Sequence, residues 1–326
     1  MTHRGRSVGT MTGRGTPDPV ETSFELHPRP PFRLDLTVWA LRRRARNRVD
    51  VWDGSYRRAL VVDGESLAVE VVQAGSSASP VVTVTVTTAA VLPPARLSAT
   101  AALVERMLGL GRDLGPFYDL ADTDPRLHRL KERFLGVKPP RFPTLFEALA
   151  NAVANQQLSL EVGIELLNRL ADAYGAPAPG TGLPLHAFPD ADTVAGLKVP
   201  ALRELGFSTA KARYLISLAG VVASGEPNPT DLERMDRPEA THALEQLHGI
   251  GRWSAEYVLL RGLGRLDVFP GDDVGARNKL QRFLELADPP TYPEIMAILA
   301  PWHPYAGMIY FHLLLDGLAE RGVIEP

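Results

Sequence analysis

The chain has 326 residues, of which 45% are hydrophobic and 22% are charged, and its net charge is −3. This length and composition predict a globular protein of about two domains. The absence of cysteine excludes structural disulfides, cysteine-ligated zinc, iron–sulfur clusters and cysteine nucleophiles, and no apolar run is long enough to predict a membrane span.

The first third of the chain predicts a small α+β domain. Residues 1–22 are polar and rich in glycine, which is typical of a disordered leader. Over residues 23–111, apolar and polar residues alternate at 32–38, 67–71 and 82–86, which predicts strands with one buried face. Asp63-Gly64 is a hairpin signal. The helical spacing at 97–108 then predicts a helix that covers the apolar face of an antiparallel sheet.

Residues 112–326 have helical spacing instead, and they predict an all-helical second domain. Ser159 is a candidate N-cap and Gly175 a candidate helix end. The later candidate helices, separated by linkers rich in proline and glycine, lie at 210–223, 238–247, 253–260, 274–286, 292–300 and 305–318.

Two of these helices flank the glycine-rich turn Leu247-His248-Gly249-Ile250-Gly251, which predicts a helix-hairpin-helix. Glycine lets a ligand approach the main chain closely, and the free amides at the start of the second helix form a site for a DNA phosphate. Gly249, Ile250, Gly251 and Arg252 are therefore the predicted DNA contacts. The negative net charge argues mildly against a nucleic-acid binder. A contact through backbone amides needs few lysines or arginines, which weakens that objection. The alternative is a plain turn between two packed helices.

The residues after the hairpin suggest chemistry on a base. Trp253 and Tyr257 are four residues apart and share one helix face, where they form either a base pocket or ordinary core packing. A second turn, Phe269-Pro270-Gly271, leads to Asp272 and Asp273. Either acid could be a catalytic carboxylate or the N-cap of the next helix.

Together these features resemble the helix-hairpin-helix (HhH-GPD) DNA glycosylase superfamily, and within it the bacterial 3-methyladenine DNA glycosylases of type II. The resemblance spans about residues 145–315. It rests on VANQQLS at 153–159, GIGRWSAEY at 249–257 and DVFPGDD at 267–273, and more weakly on PWHPYA at 301–306. It implies a sheet domain like half of a TATA-binding protein, followed by the all-α glycosylase domain.

The resemblance also implies roles for individual residues. Asp273 is expected to be the catalytic carboxylate, with Asp272 as the alternative. The turn Gln156-Gln157-Leu158 is expected to supply the wedge that fills the gap left by a flipped base, with Gln157 or Leu158 favoured. The pocket for that base is expected to be formed by Trp253, Tyr257, Tyr305 and Phe311, together with Tyr310.

The expected reaction is the release of alkylated bases of the N3-methyladenine and N7-methylguanine class by hydrolysis, without a cofactor or a catalytic metal. Trp253 occupies the position at which some members of the family carry a Schiff-base lysine, so a monofunctional enzyme is implied. Main-chain carbonyls of Glu245, Leu247 and Ile250 are expected to hold a monovalent cation. The expected partner is double-stranded DNA with a damaged base. The protein is expected to be a monomer in the cytoplasm, associated with the nucleoid.

Two alternatives stay open at this stage. One is a glycosylase/AP lyase for oxidised or deaminated bases that uses a different lysine, Lys279 or Lys211. The other is a non-catalytic helix-hairpin-helix DNA-binding protein, which would need no acid at position 273.

Overall fold

The computed structural model describes residues 19–180 and 184–326. Residues 1–18, most of the predicted leader, lie outside this range. The leader prediction was wrong for its last residues, because the first strand begins at Val20. Among the described residues, no helix has both the length and the apolar character that crossing a membrane requires.

A five-stranded antiparallel sheet forms the predicted N-terminal α+β region, in the order β1-β5-β4-β3-β2. Its strands are β1 Val20–Leu26, β2 Val51–Trp52, β3 Tyr56–Val62, β4 Glu65–Ala74 and β5 Val81–Thr88. Val71 pairs with Val84, and both are fully buried, as the alternation predicts. Asp63 and Gly64 both have positive φ and form the predicted two-residue hairpin.

The prediction of a strand at 32–38 was wrong, because this segment lies in helix α1, Leu34–Arg42. The helix is buried on nearly every side. Leu34, Val38 and Leu41 pack into the core that includes the sheet, while Leu36 and Ala40 pack into a second core around the C-terminal helices. A helix that is buried on two faces can have apolar residues at alternate positions. The alternation at 32–38 was therefore wrongly interpreted as a strand.

The other helices of the described residues follow α1 in chain order. They are α2 Pro94–Leu108, α3 Gly115–Thr123, α4 Pro125–Arg133, α5 Leu145–Asn155, α6 Leu160–Tyr174, α7 Ala191–Ala195, α8 Val199–Glu204, α9 Thr209–Ala223, α10 Pro229–Arg234, α11 Arg237–Glu245, α12 Arg252–Arg261, α13 Val274–Phe283, α14 Tyr292–Leu299 and α15 Ala306–Ala319. The predicted helices are confirmed, and Ser159 caps α6 by accepting a hydrogen bond from the amide of Val162.

The sheet and the helices share one continuous core, which includes residues of β4, β5, α2, α5, α6, α9 and α12. The second core joins α1 to α3, α4, α13 and α15. Because α1 takes part in both cores, its C-terminal end lies against α5 and α12, beside the candidate site described next.

Candidate active site

Asp273 is both a helix cap and a cavity residue. It stands at the N-terminus of α13, where its Oδ1 accepts a hydrogen bond of 2.9 Å from the amide of Ala276. Its Oδ2 faces two aromatic donors, Trp253 Nε1 at 3.4 Å and Tyr310 Oη at 3.5 Å. The capping bond therefore fixes the carboxylate while one oxygen stays directed toward the cavity.

The neighbouring acid, Asp272, lines the same cavity but is paired with an arginine. Its carboxylate accepts a hydrogen bond of 2.7 Å from Arg252 Nε and forms a salt bridge with the same guanidinium. Arg252 also lies over the ring of Tyr292, 3.9 Å from its centroid. Asp272 is thus neutralised by a cation next to the hairpin, whereas Asp273 has no salt bridge among the described residues.

The cavity has a volume of about 680 Å³ and has Asp273 in its wall. Trp253 and Tyr257 of α12 line it with their rings 5.5 Å apart, as their shared helix face predicts. Tyr257 is only 2% exposed. A volume of this size and an aromatic wall suit a planar ligand such as a base.

Two predicted pocket residues do not reach this cavity. Tyr305 packs against Phe117 in the second core, and Phe311 is fully buried there, with the Arg261 guanidinium 5.4 Å from its ring centroid. Tyr310, which was also expected in the pocket, does line the wall. Burial raises the pKa of Tyr310 well above its usual value, and the nearby Asp273 carboxylate adds to this effect, so its hydroxyl stays protonated as a donor.

The turn between α5 and α6 forms the mouth of the cavity. Gln156 is tied to the hairpin, because its Nε2 donates to the carbonyl of Gly249 at 2.8 Å and to Ser254 Oγ at 3.0 Å. Gln157, with φ of 55°, and Leu158 are exposed at the mouth and line it. The geometry leaves Gln157 and Leu158 as wedge candidates and makes Gln156 a tether.

The hairpin needs glycine at one position for steric reasons. Gly249 has φ of 87°, and a Cβ there would lie 2.5 Å from the Tyr214 ring. Gly251 is different, since its φ of −104° is ordinary and a Cβ would meet nothing within 4 Å. No side chain caps α12, so its first amides remain available to an anion.

The monovalent cation is expected at main-chain carbonyls that follow α11. The carbonyl of Leu247 accepts the amide of Ile250, which closes the turn. Glu245 is the last residue of α11, where the helix dipole favours a positive charge. Among the described residues, no cluster of histidine or carboxylate side chains could hold a metal ion.

Comparison with known proteins agrees with this arrangement. Residues 150–304 match the family model described as HhH-GPD superfamily base excision DNA repair protein. The DNA-3-methyladenine glycosylase of Bacillus subtilis is 32% identical over 210 residues, which are 64% of this chain and 69% of that protein. The chain belongs to the HhH-GPD superfamily.

Solved structures of this superfamily have the same fold. A 3-methyladenine DNA glycosylase from Archaeoglobus fulgidus is similar with a TM-score of 0.78 and 27% identity, over 90% of this chain and 97% of that one. A 3-methyladenine DNA glycosylase from Schizosaccharomyces pombe, in complex with abasic DNA, is similar with a TM-score of 0.53 and 27% identity, over 63% of this chain and 97% of that one.

The structure separates the two lysines considered for Schiff-base chemistry. The amine of Lys211 is already hydrogen-bonded, because its Nζ donates to the main-chain carbonyls of Ala154 at 2.8 Å and Gln156 at 2.6 Å. Lys279 lines the cavity, and its ammonium has no hydrogen-bond partner among the described residues. Burial lowers the pKa of Lys279 to about 8, although Asp273 partly opposes the shift.

Two further residues of the site were not singled out in the sequence. Glu256 is 1% exposed and accepts hydrogen bonds from the Gly271 amide at 3.2 Å and Tyr292 Oη at 2.5 Å, so it holds the second turn in place. Its charge within the apolar run of α12 was the available signal. Arg43, at the end of α1, lines the cavity from the N-terminal region, and the available signal was the density of arginines, five of them within residues 42–48.

Proposed function

We propose that this protein is a monofunctional DNA glycosylase that releases alkylated bases of the N3-methyladenine and N7-methylguanine class in base excision repair. The observation that carries the proposal is the Asp273 carboxylate, which is fixed by its capping bond and has Oδ2 among the aromatic residues of the cavity. The names of the relatives in the superfamily support the same activity.

Asp273 supplies the chemistry in this proposal. Breaking an N-glycosidic bond builds positive charge on the sugar, and a carboxylate held at the anomeric carbon stabilises that charge. Water then adds to the anomeric carbon. Because Oδ1 is held by the Ala276 amide, the carboxylate needs no reorganisation during the reaction.

The aromatic wall supports the substrate class. Bases alkylated at N3 or N7 are positively charged, and the faces of Trp253, Tyr257 and Tyr310 attract a cation by about 0.5–2 kcal/mol. The glycosidic bond of such a base is already weak, since the base departs as a neutral molecule. No cofactor and no catalytic metal enter this scheme.

The hairpin gives the proposed DNA contact. Gly249, Ile250 and Gly251 bring the free amides of α12 to a phosphate, and Arg252 stands at the same helix start. A monovalent cation on the carbonyls of Glu245, Leu247 and Ile250 would add to this grip. The exposed Gln157 or Leu158 would fill the gap that the flipped base leaves between its neighbours in the DNA.

The finer organisation is also proposed. We infer a monomer that acts on duplex DNA at the nucleoid, because a damaged base offers no symmetry for a dimer to match. The proposed domains are 23–111, with a sheet like half of a TATA-binding protein, and 112–326, the helix-hairpin-helix glycosylase domain.

A second candidate, a glycosylase/AP lyase, is favoured by one observation. Lys279 lines the cavity with a pKa lowered to about 8, so part of its amine is neutral and nucleophilic near pH 8. Lys279 lies on α13. The Schiff-base lysine of some members of the family would instead occupy the position of Trp253, next to the hairpin.

One experiment tests both candidates. Duplex DNA with a single N7-methylguanine is incubated with the protein, and free base and strand breaks are measured with and without borohydride. We expect release of 7-methylguanine, an intact strand and no trapped protein–DNA adduct. Trapping that is lost in Lys279→Ala would favour the lyase, and no release of any methylated base would overturn the alkylated-base assignment.

A further inference from the structure

Arg43 brings a buried charge to the cavity. It ends α1 in the left-handed conformation, with φ of 62°, a backbone conformation that costs energy in any residue except glycine. The residue is only 4% exposed, and it lines the same cavity as Asp273. The N-terminal region therefore contributes directly to the wall of the candidate site.

This guanidinium forms no salt bridge among the described residues, and Glu147, the buried carboxylate that interacts with it electrostatically, is bonded to Arg58. Its Nη1 donates to Tyr257 Oη at 2.8 Å and its Nη2 to Asn151 Oδ1 at 2.7 Å, while its Nε has no partner. Arg58, which is also buried, instead forms salt bridges with Asp50 and Glu147. A buried charge without a counter-ion is costly, so its position at a cavity points to a function.

The arrangement fixes what Tyr257 offers to the cavity. A guanidinium can only donate hydrogen bonds, so the Tyr257 oxygen accepts from Arg43 and its own proton is left over. No acceptor for that proton lies among the described residues. Tyr257 and Arg43 both line the cavity, so a ligand bound there can accept this proton, which the buried cation polarises.

Such a donor distinguishes bases by their charge. A cationic alkylated base departs as a neutral molecule and gains nothing from a nearby positive charge. An uncharged base departs as an anion, since the C1′–N bond breaks with its electron pair on the base, and the charge spreads to any carbonyl oxygen on the ring. Water adds to C1′, and the proton it releases finally neutralises the base.

We propose that Arg43, acting through the hydroxyl of Tyr257, is a specificity-determining residue that favours uncharged bases carrying a carbonyl oxygen over cationic alkylated bases. The inference rests on the proposed glycosylase function and refines its substrate class. The aromatic faces of the cavity attract cationic bases, and the Arg43–Tyr257 pair opposes that preference from the cavity wall.

The test compares single-turnover release of two bases from otherwise identical duplexes, hypoxanthine as the uncharged 6-oxopurine and 7-methylguanine as the cationic base. Tyr257→Phe keeps the ring and removes only the hydroxyl, whereas Arg43→Met removes the charge at similar length. In both variants we expect the ratio of hypoxanthine to 7-methylguanine release to fall at least tenfold. Arg43→Lys, which keeps the charge, should restore part of the ratio.

The outcomes separate this inference from the proposed function. A purely structural role would lower both rates in parallel, so a ratio within threefold of the wild type in Tyr257→Phe overturns the inference, even if Arg43→Met fails to fold. A wild-type protein that releases 7-methylguanine but no hypoxanthine also overturns it and leaves the proposed function standing. A wild-type protein that releases neither base overturns both.

Discussion

Two turns serve the candidate site, and they present different groups to it. The hairpin at 247–251 offers backbone amides at an exposed helix start, and its glycines allow a close approach. The turn at 43–47 instead contributes a buried, charged side chain to the cavity wall, that of Arg43, whose φ is positive although it is not a glycine. Backbone groups can hold a DNA phosphate but carry no information on the base, whereas a side chain in the cavity can distinguish one base from another.

The largest effect is expected at the hairpin. In Gly249→Ala, the new Cβ would overlap the Tyr214 ring and the backbone would keep a positive φ, so we expect a loss of about 2–5 kcal/mol in the free energy of unfolding. Denaturant unfolding measures it. Gly251→Ala is the matched control, because its Cβ meets nothing in the protein.

The two glycine variants also sharpen the assignment of the hairpin to phosphate binding. Gly251→Ala should fold normally and still bind undamaged duplex DNA more weakly, since the methyl group would stand where the phosphate approaches. Equal affinity of Gly251→Ala and wild type would contradict a close approach of DNA to this residue.

A smaller effect on stability is expected at the turn formed by residues 43–47. Asn47 is buried and its Oδ1 accepts the amides of Val49 at 2.9 Å and Asp50 at 3.0 Å. Asn47→Ala leaves those amides without partners, so unfolding should become easier by about 1–3 kcal/mol. Arg46→Ala, at an exposed position of the same turn, should change stability little. Equal stabilities of the two variants would show that the turn does not depend on Asn47.

The smallest effect concerns the link between the cavity mouth and the hairpin. Gln156→Ala removes the hydrogen bonds to the Gly249 carbonyl and Ser254 Oγ and should cost about 1 kcal/mol. Gln157→Ala, at an exposed neighbouring position, should cost less, as measured by unfolding in denaturant. A larger loss in Gln157→Ala would reverse the roles of tether and wedge candidate.

The two turns also differ in how far the sequence could predict them. The hairpin and Asp273 were found because glycine, aromatic and acidic residues occur at local spacings within one segment. Arg43 meets Tyr257 across 214 positions of the chain, and no local pattern reports such a contact. The strand predicted at 32–38 was wrong for a related reason, since two separate cores bury the same short helix.

The base pocket shows the same limit. Almost every residue of α15 is buried, so its sequence has no polar face to reveal which side chains point to the cavity. Tyr305, Tyr310 and Phe311 were therefore all assigned to the pocket, whereas only Tyr310 of the three lines it. The helices that were predicted from caps and linkers are present, because these are local signals, whereas α1, α3, α4, α7, α8 and α10 were not predicted.

The central claim is that Asp273 is the catalytic carboxylate, and paired acid variants test it most directly. Single-turnover release of 7-methylguanine is measured for wild type, Asp273→Asn and Asp272→Asn, with duplex binding measured in parallel. We predict that Asp273→Asn binds DNA but loses about 100-fold or more of the rate, and that Asp272→Asn, whose carboxylate is paired with Arg252, loses much less. Full activity in Asp273→Asn, or a larger loss in Asp272→Asn, would contradict the account.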